Sequence, residues 1–347
     1  MKVLFDVSHP AHVHLFKHAI RGLEADGHEV LVLSREKDVT IQLLDSEEID
    51  HLPISRMGTR KLSLLSEWLA REVRTIRMVK RFEPDVALCV MNPATAHAGQ
   101  LLDCPVIAFN DTEPVKLASS LTLPFVDRLC TPANFDVDHG DKHRTYDGYH
   151  ELAYLHPDRF TPDPDSLRAF GIEPDDPYTV VRFVSWGAHH DVGQRSLSNE
   201  SKRELVSLLD EYGAVYISSE RTLPEEFESY RLPIPPERMH DLLYYADLYV
   251  GDSGTMSTEA AVLGTPAVRS NTFAGEADMS NFVELEDEYG LLYSRSDAEE
   301  TIELVRDLLE SPDLRETWSA KRARLVEEKI DVTEYMLEQI DDVGGDA

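Results

Sequence analysis

The sequence predicts an α/β protein made of two doubly wound domains, each with a parallel sheet. Three observations support this class. Short apolar segments with strand character alternate with longer segments of helical periodicity in both halves of the chain. One stretch rich in Pro and Asp, residues 158–177, interrupts the alternation, and we place the interdomain linker at 160–165. At 347 residues, the chain is also long for a single core.

In the first half, the alternation begins almost at residue 1 and implies βαβ units. The clearest helix is residues 62–82, whose apolar side chains recur at helical spacing until Pro84 follows. We therefore predict an N-terminal domain over residues 1–160. Its predicted strands are 3–7, 29–34, 86–90, 105–110 and 128–131, and its predicted helices are 13–26, 40–44, 62–82 and 115–121.

A second alternation predicts a C-terminal domain over residues 166–325. A C-terminal helix and a frayed acidic tail are expected over residues 326–347. Two doubly wound domains are expected to face a central cleft, because such sheets bind ligands beyond the carboxyl ends of their strands. The predicted strands are 179–185, 214–218, 247–250 and 265–269, and the predicted helices are 199–212, 239–246, 256–263, 298–309 and 314–328.

Acidic residues dominate the composition. Asp and Glu total 65 against 34 Lys and Arg, which gives a net charge of −31. Since 42% of the residues are hydrophobic and the acids are dispersed, we expect a folded protein with a hydrated acidic shell, as in halophiles. An acidic face for a basic partner is the alternative. Nucleic acid is not an expected partner, because no basic patch with interleaved aromatic residues is present.

Several features favour a cytoplasmic location. Cys89, Cys104 and Cys130 have no metal-binding spacing and are expected to be reduced thiols. No apolar run reaches membrane-spanning length, and the N-terminus lacks a signal-peptide pattern. Residues 117–125 form a modest apolar patch that belongs to the core or contacts the inner face of a membrane.

The most informative segment spans residues 248–266, where a buried strand, a turn of small residues and a helix follow one another. A helix that opens on such a turn presents backbone N–H donors and a positive dipole end, which suit a diphosphate. Glu259 stands one turn into this helix, where a carboxylate suits the hydroxyls of a ribose. The pattern therefore predicts a nucleotide-sugar site. The residues predicted to surround the diphosphate are Asp252, Ser253, Gly254 and Thr255.

The loop after the first strand is rich in histidine. His9, His12 and His14 lie within six residues, and His18 follows one turn later. We expect two of the three to cap the helix or pack, and His12 to reach the cleft as a general acid or base. His14 and His18 are spaced for zinc, but a further ligand and an accompanying base are missing, so no metal is expected.

Other strand ends supply further candidates. Asp111 and Glu113 follow the strand 105–110 and could bind sugar hydroxyls or deprotonate an acceptor; alternatively, Asp111 or Thr112 caps the next helix. Asn92 is a weaker candidate. In the second half, Arg221 could bind the diphosphate or form a surface salt bridge. The remaining candidates are Ser185, Gly187 and His189 in a phosphate or sugar loop, and Met239, whose backbone could border the base.

Four motifs together resemble a known family. They are D-x-S-H-P-A-H-V-H near the start, Y-H-E-L-A-Y-L-H-P at residues 149–157, R-F-V-S-W-G-A-H-H-D-V-G at 182–193, and G-D-S-G-T-M-S-T-E-A-A-V-L-G-T-P at 251–266. Over nearly its whole length the chain is similar to the archaeal and bacterial family described as domain of unknown function 354. The resemblance implies the GT-B fold, the two-domain architecture of many glycosyltransferases.

Two better understood groups are similar at a distance. The peptidoglycan N-acetylglucosaminyltransferase resembles this chain in the spacing from His12 to G-H-E-V at residues 27–30, but has glycines where residues 8–11 stand. The UDP-N-acetylglucosamine 2-epimerase resembles the segment 252–259, but its early Arg-Pro-Glu motif is replaced by His9-Pro10-Ala11. These resemblances imply that the helix-opening segment holds the diphosphate and that Glu259 holds the ribose.

The sequence thus predicts a metal-independent, cofactor-free glycosyltransferase. It would move a sugar from a nucleotide diphosphate sugar, UDP-linked by preference, to a glycan or lipid-linked acceptor. His12, Asp111 or Glu113 would be the catalytic base, and peripheral membrane contact is compatible with a lipid-linked acceptor. A 2-epimerase and a non-catalytic nucleotide-sugar-binding protein are the alternatives.

Overall fold

The computed structural model describes residues 1–58, 61–113, 116–183, 197–219, 222–271 and 278–345. Contacts divide the chain into two units. Unit 1 contains Met1–Arg159 together with Lys329–Ala347, and unit 2 contains Phe160–Glu328. A parallel sheet lies in each unit, so the predicted α/β class is confirmed.

All strand pairs in both sheets are parallel. The sheet of unit 1 has the order β3-β2-β1-β4-β5-β6-β7, and that of unit 2 has the order β12-β11-β10-β8-β9. The strands are β1 (Lys2–Val7), β2 (Glu29–Glu36), β3 (His51–Arg56), β4 (Val86–Val90), β5 (Val106–Phe109), β6 (Arg128–Pro132), β7 (His143–Tyr146), β8 (Tyr178–Arg182), β9 (Ala214–Ser218), β10 (Leu248–Gly251), β11 (Ala267–Ser270) and β12 (Leu292–Arg295).

Helices connect these strands, and short 3₁₀ helices lie at Leu123–Phe125, Gly140–Lys142, Glu225–Tyr230 and Pro236–Arg238. The α-helices are α1 (Pro10–Ala25), α2 (Thr40–Ser46), α3 (Lys61–Phe82), α4 (Pro93–Leu102), α5 (Lys116–Thr122), α6 (Leu152–Leu155), α7 (Pro164–Arg168), α8 (Asn199–Asp210), α9 (Met239–Tyr245), α10 (Gly254–Leu263), α11 (Ser280–Asp287), α12 (Ala298–Leu309), α13 (Leu314–Glu328) and α14 (Val332–Gly344).

The strand order places two loops where ligands usually bind in this class. In unit 1 the order reverses between β1 and β4, and in unit 2 it reverses between β8 and β10. Ligands of open parallel sheets bind beyond the carboxyl ends of the strands at such reversals. The loops after β1 and β10 are therefore the first places to look for function.

The strands that the sequence pattern did not predict are β3, β7 and β12. Each is an edge strand. An edge strand is less enclosed than a central one, so it does not need the continuous apolar run that identifies β1 or β4. β3 even contains Pro53, which an edge strand tolerates because one side of its backbone has no partner strand.

The C-terminal helix α14 packs into unit 1. The Thr333 hydroxyl donates to the Ala153 carbonyl at 2.7 Å, and an Arg128 Nη1 donates to Gln339 Oε1 at 2.7 Å. The expected frayed tail is partly wrong, since residues 341–344 continue α14. Gly344 is buried against Met1 and Val86, which holds this end of the helix in place. Four shorter helices, α4, α6, α7 and α11, also escaped prediction, since small residues or few turns give them little periodicity.

A buried polar network links β1 to its neighbours. Asp6 is fully buried in β1 and forms an ion pair with Arg71 of α3. The Thr95 hydroxyl of α4 donates to Asp6 Oδ2 at 2.7 Å, and Arg71 Nη1 donates to Ser55 Oγ of β3 at 2.8 Å. Asp6 belongs to the first motif quoted above, and its role here is to connect four elements of unit 1.

We predict that Asp6→Ala lowers the free energy of unfolding by about 3–5 kcal/mol, because it leaves the Arg71 guanidinium buried without its counterion. Urea unfolding followed by circular dichroism would measure this. The matched control is Arg56→Ala, which removes an exposed pair with Glu36 and should change little. If the double variant Asp6→Leu with Arg71→Met is as unstable as Asp6→Ala, the loss comes from packing and the charge argument is wrong.

Candidate functional site

The segment after β10 forms the turn that the sequence predicted. Ser253 caps α10, its hydroxyl accepting from the Met256 N–H at 3.4 Å, and the helix begins at Gly254. Asp252, Ser253 and Gly254 are half-buried, whereas Thr255 is exposed. The first turn of α10 therefore reaches the surface at the carboxyl edge of the sheet, where its N–H groups and dipole favour an anion.

Two glycines fix this segment. A Cβ on Gly251 would lie 2.3 Å from the Arg182 carbonyl, so only glycine allows β10 to lie this close to β8 here. At the other end of α10, Gly264 has φ of 84°, a left-handed conformation that ends the helix as predicted. Phe282 covers the Gly254 position, with its ring 3.0 Å from where a Cβ would stand.

Glu259 is buried and pairs with a histidine. It lies one turn into α10, and its Oε1 is 3.0 Å from Nε2 of His240, the second residue of α9. The His240 ring in turn meets the Phe160 ring edge-on, with centroids 6.2 Å apart. A ribose at Glu259 would therefore meet a carboxylate whose orientation His240 holds. The neighbouring Met239 was predicted from the sequence as a site residue, whereas His240 was not.

Two cations, one half-buried and one buried, lie near the carboxyl edge of this sheet. Arg182 ends β8 and donates from Nη1 to Ser218 Oγ at 3.0 Å. The Lys202 ammonium of α8 lies 4.8 Å above the Phe183 ring, with the side chain 2% exposed. Burial lowers the pKa of Lys202, and the negative charge of Asp252 opposes that shift. Asp252 thus balances a buried cation beside the helix-opening turn.

The structure describes only some of the remaining residues that were predicted for the site in this unit. Met239 is the half-buried first residue of α9, next to His240. The Asp241 carboxylate, two residues further on, accepts from the Asp163 N–H at 2.8 Å and from the Ser166 hydroxyl at 3.2 Å. Ser185, Gly187, His189 and Arg221 lie outside the described residues.

Two of the three histidines that follow β1 cap or pack, as the sequence predicted. His9 caps α1, its Nδ1 accepting from the Ala11 N–H at 3.2 Å, and His14 packs against Tyr154 with ring centroids 5.2 Å apart. His12 lies in the first turn of α1 and is half-buried. Its Nδ1 accepts from the Ser8 N–H at 3.4 Å, a long and weak hydrogen bond.

The environment of His12 keeps its imidazole neutral. Burial is the main cause that holds its pKa well below the usual range. The positive charges of His9, His150 and Lys37 act in the same direction, whereas the charge of Asp111 opposes them. A neutral imidazole with a nearby carboxylate can accept a proton, and the carboxylate stabilises the imidazolium that forms.

Asp111 follows β5 and is anchored on both sides. Its Oδ2 is 3.2 Å from His150 Nδ1, and its Oδ1 accepts from the Thr112 hydroxyl at 2.9 Å. Burial alone would raise the pKa of Asp111, but the charge of His150 and these hydrogen bonds outweigh it and hold the pKa well below the usual range. So acidic a group is a poor general base but a good partner for an imidazole.

The alternative role for Asp111 and Thr112, capping the next helix, is wrong. Glu113, which follows both residues, lies in a turn and not in a helix, so neither residue stands directly before α5. Glu113 is half-buried in the turn between β5 and α5. Asn92 caps a different helix, since its Oδ1 accepts from the Ala94 N–H at the start of α4.

His150 is a second histidine that was not predicted as a site residue from the sequence. It follows β7, is 8% exposed, and stacks on Tyr146 at an interplanar angle of 14°. Its Nδ1 faces Asp111, while its Nε2 has no hydrogen-bond partner among the described residues. The motif Y-H-E-L-A-Y-L-H-P contains His150, but sequence alone could not show which strand end lies beside it.

The apolar patch at residues 117–125 is only partly covered. Leu123 packs against the core, and the Phe125 ring, 36% exposed, meets His97 edge-on. In the ranges that the structure describes, no group of three or more His, Cys, Asp or Glu side chains is arranged to hold a metal ion. Within those same ranges, no helix combines the length and apolar character needed to cross a membrane.

With this geometry in hand, comparison with known proteins places the chain. The sequence profile of the family described as protein of unknown function DUF354 matches residues 1–342. The chain belongs to this family. A protein of Methanocaldococcus jannaschii, itself uncharacterised, is 24% identical over 278 residues, which cover 77% of this chain and 81% of that protein.

Solved structures with the same fold include transferases and an epimerase. The spinosyn forosaminyltransferase has a TM-score of 0.66 at 14% identity, covering 99% of both chains. The UDP-GlcNAc 2-epimerase of Neisseria meningitidis, bound to UDP-GlcNAc, has a TM-score of 0.68 at 16% identity, covering 98% of this chain and 99% of that one. The glycosyltransferase VinC in complex with dTDP has a TM-score of 0.61 at 12% identity, covering 100% of both. These likenesses confirm the GT-B type of fold for this DUF354 member.

We predict that Asp111→Asn lowers the pKa of His12 further, because it removes the negative charge that favours the imidazolium. Histidine side-chain NMR across a pH series would measure it, with the His12 signal assigned by its loss in His12→Gln. The control is Asp138→Asn, whose exposed carboxylate pairs with His143 instead. A higher or unchanged pKa of His12 in Asp111→Asn would contradict the electrostatic assignment.

Proposed function

We propose that this DUF354 protein is a metal-independent, inverting glycosyltransferase. It would transfer a sugar from a UDP-linked donor to a hydroxyl group of a glycan or lipid-linked acceptor. The observation that carries the proposal is His12, a half-buried and neutral imidazole whose pKa responds to the charge of the Asp111 carboxylate. An acceptor hydroxyl needs such a base, whereas a protein that only binds nucleotide sugars does not.

Unit 2 would bind the donor. The diphosphate would meet the N–H groups of Gly254 and Thr255 and the dipole of α10, and Glu259 would accept from the ribose hydroxyls. The half-buried Arg182 and the buried Lys202 add positive charge near the same edge. Charge that develops on the leaving diphosphate would be stabilised by these fixed groups. The solved epimerase of this fold is bound to UDP-GlcNAc, which supports UDP as the carrier.

Unit 1 would activate the acceptor. His12 takes the proton of the acceptor hydroxyl as that oxygen bonds to the anomeric carbon and the bond from that carbon to the diphosphate breaks. The hydrogen bond from Ser8 to Nδ1 is long at 3.4 Å, so the ring can exchange tautomers at little cost. Asp111 stabilises the imidazolium, and His150 holds Asp111 in its ionised form. In this assignment His12 is the base, and Asp111 and His150 are positioning residues.

Product analysis would separate the three candidate activities. The protein is incubated in concentrated KCl with UDP-GlcNAc and UDP-glucose, with EDTA present, with and without glycan or polyprenyl-linked acceptors. We expect free UDP only when an acceptor is present. A new UDP-sugar formed without acceptor would establish an epimerase and overturn the proposal. Tight UDP-sugar binding with no product under any condition would favour a binding protein.

We predict that His12→Gln lowers kcat/KM about 10²–10⁴-fold while leaving UDP-sugar affinity unchanged, since it removes only the proton acceptor. His18→Gln, a change on the same helix, is the matched control and should retain activity. In the wild-type protein, the lowered pKa keeps His12 neutral in mildly acidic solution. Activity should therefore fall only below pH about 6.5, the ordinary pKa of histidine. If activity on acidification already fell above pH about 6.5, His12 would be excluded as the base.

We predict that Glu259→Gln weakens UDP-sugar binding about 10- to 100-fold, because hydrogen bonds to a charged group contribute roughly 1.5–3 kcal/mol. Isothermal titration calorimetry would measure the affinity, and circular dichroism would verify the fold, since Glu259 also pairs with His240. Glu300→Gln makes the same change at an exposed position in α12 and is the control. Unchanged affinity in a folded Glu259→Gln protein would show that the ribose site is elsewhere.

A further inference from the structure

The outward surface of α3 is unlike the rest of this acidic molecule. Among the described residues, eleven large hydrophobic side chains are exposed, and five of them belong to residues 52–73. Trp68, Leu69 and Val73 lie on α3, with Leu69 56% and Val73 57% exposed. Leu52 and Met57 lie in or next to β3, the edge strand beside α3. Scattered exposed apolar residues are ordinary, but such a concentration marks an interaction surface.

The same surface is cationic. α3 contains six Lys or Arg residues and only two Glu, in a chain with a net charge of −31. Both acids are already paired: Glu67 accepts from Arg35 at 2.7 Å, and Glu72 lies 3.1 Å from His97. Arg77, Lys80 and Arg81 are exposed and form no ion pair with any described residue.

Helical spacing places the two features in one line. Leu69, Val73, Arg77 and Lys80 follow one another at intervals of three and four residues and so share one face of the helix. The line is about 16 Å long, since an α-helix rises about 1.5 Å per residue. Its first half is apolar, with Trp68 on its flank, and its second half is cationic, with Arg81 beside it. We call these six side chains the α3 outer face.

Contacts within unit 1 keep the α3 outer face directed away from the sheet. Arg71 points inward to Asp6 and Ser55, and Arg74 Nη1 donates to the Ile54 carbonyl of β3 at 2.6 Å. These bonds set the rotation of α3 about its own axis. Leu69, Val73 and Arg77 therefore stay exposed unless something outside the unit covers them.

We propose that the α3 outer face docks on the surface of a lipid bilayer that contains anionic lipids. Tryptophan and aliphatic side chains would enter the boundary between headgroups and acyl chains, and Arg77, Lys80 and Arg81 would contact lipid phosphates. This pairing of an apolar segment with Lys and Arg is the composition of interfacial helices. A single-stranded nucleic acid would require several stacking aromatic residues, and the face has one.

Vesicle binding without any sugar substrate tests the proposal independently of catalysis. Sucrose-loaded vesicles of phosphatidylglycerol and phosphatidylcholine, or of phosphatidylcholine alone, are sedimented with the protein at a KCl concentration where circular dichroism shows it folded. We expect binding to the mixed vesicles and much weaker binding to pure phosphatidylcholine. A blue shift of tryptophan fluorescence should accompany binding and be lost in Trp68→Phe.

Exposed-site variants provide the decisive comparison. The triple change R77Q/K80Q/R81Q should weaken vesicle binding by up to about 100-fold, at about fivefold per cation, and by less as the KCl concentration rises. The matched control R144Q/R168Q/R203Q removes three other exposed cations and should bind as the wild type does. Leu69→Ser with Val73→Ser should also release the protein. Equal binding of both triple variants would overturn the proposal. A dimer detected by light scattering in the absence of vesicles would also overturn the proposal if R77Q/K80Q/R81Q abolished that dimer. A second copy of the chain would then cover this face.

Discussion

The buried ion pair between Asp6 and Arg71 is the interaction on which unit 1 depends most. Asp6 sits at the centre of the sheet, and only a fixed counterion makes a buried carboxylate tolerable there. Through Arg71 and Thr95 it ties β1 to α3, α4 and β3. The short turn that leads from β1 into α1, the helix that carries His12, begins two residues after Asp6. The same pair sets which side of α3 faces outward, so one interaction positions both the proposed base and the proposed membrane surface.

Each unit pairs its important carboxylate with a histidine. Asp111 faces His150 in unit 1, and Glu259 faces His240 in unit 2. In each case the pair is largely enclosed, and the imidazole fixes the direction of the carboxylate while leaving it another lone pair for a ligand. A carboxylate held in this way loses little side-chain entropy when it binds a hydroxyl group. The arrangement explains why two acids that look like ordinary helix-start residues in the sequence are suited to binding and to charge stabilisation.

The sequence predicted the central strands and the helix-opening turn because both leave local signals. Central strands are continuous apolar runs, and the turn before α10 requires small residues such as Gly251. Three of the four edge strands leave a weaker signal, so β3, β7 and β12 were not predicted, whereas the edge strand β9 was. The site shows the same limit. Asp111 and His150 are 39 positions apart in the sequence, and only the pairing of β5, β6 and β7 brings them together. Capping of α5 by Asp111 was a reasonable local prediction that a tertiary contact overrode.

The acidity of the chain sharpens the case for α3. An anionic bilayer repels a surface of dispersed carboxylates, so a protein with a net charge of −31 approaches it only through a face that lacks them. In concentrated salt the Debye length falls to about 3 Å at 1 M, and cations act only at contact. The three cations of the α3 outer face would then by themselves bind the membrane weakly. Leu69, Val73 and Trp68 supply apolar burial, which salt does not screen and kosmotropic salts strengthen. In dilute salt the dispersed acids would orient the molecule by repulsion, and in concentrated salt the apolar end of the α3 outer face would keep it bound.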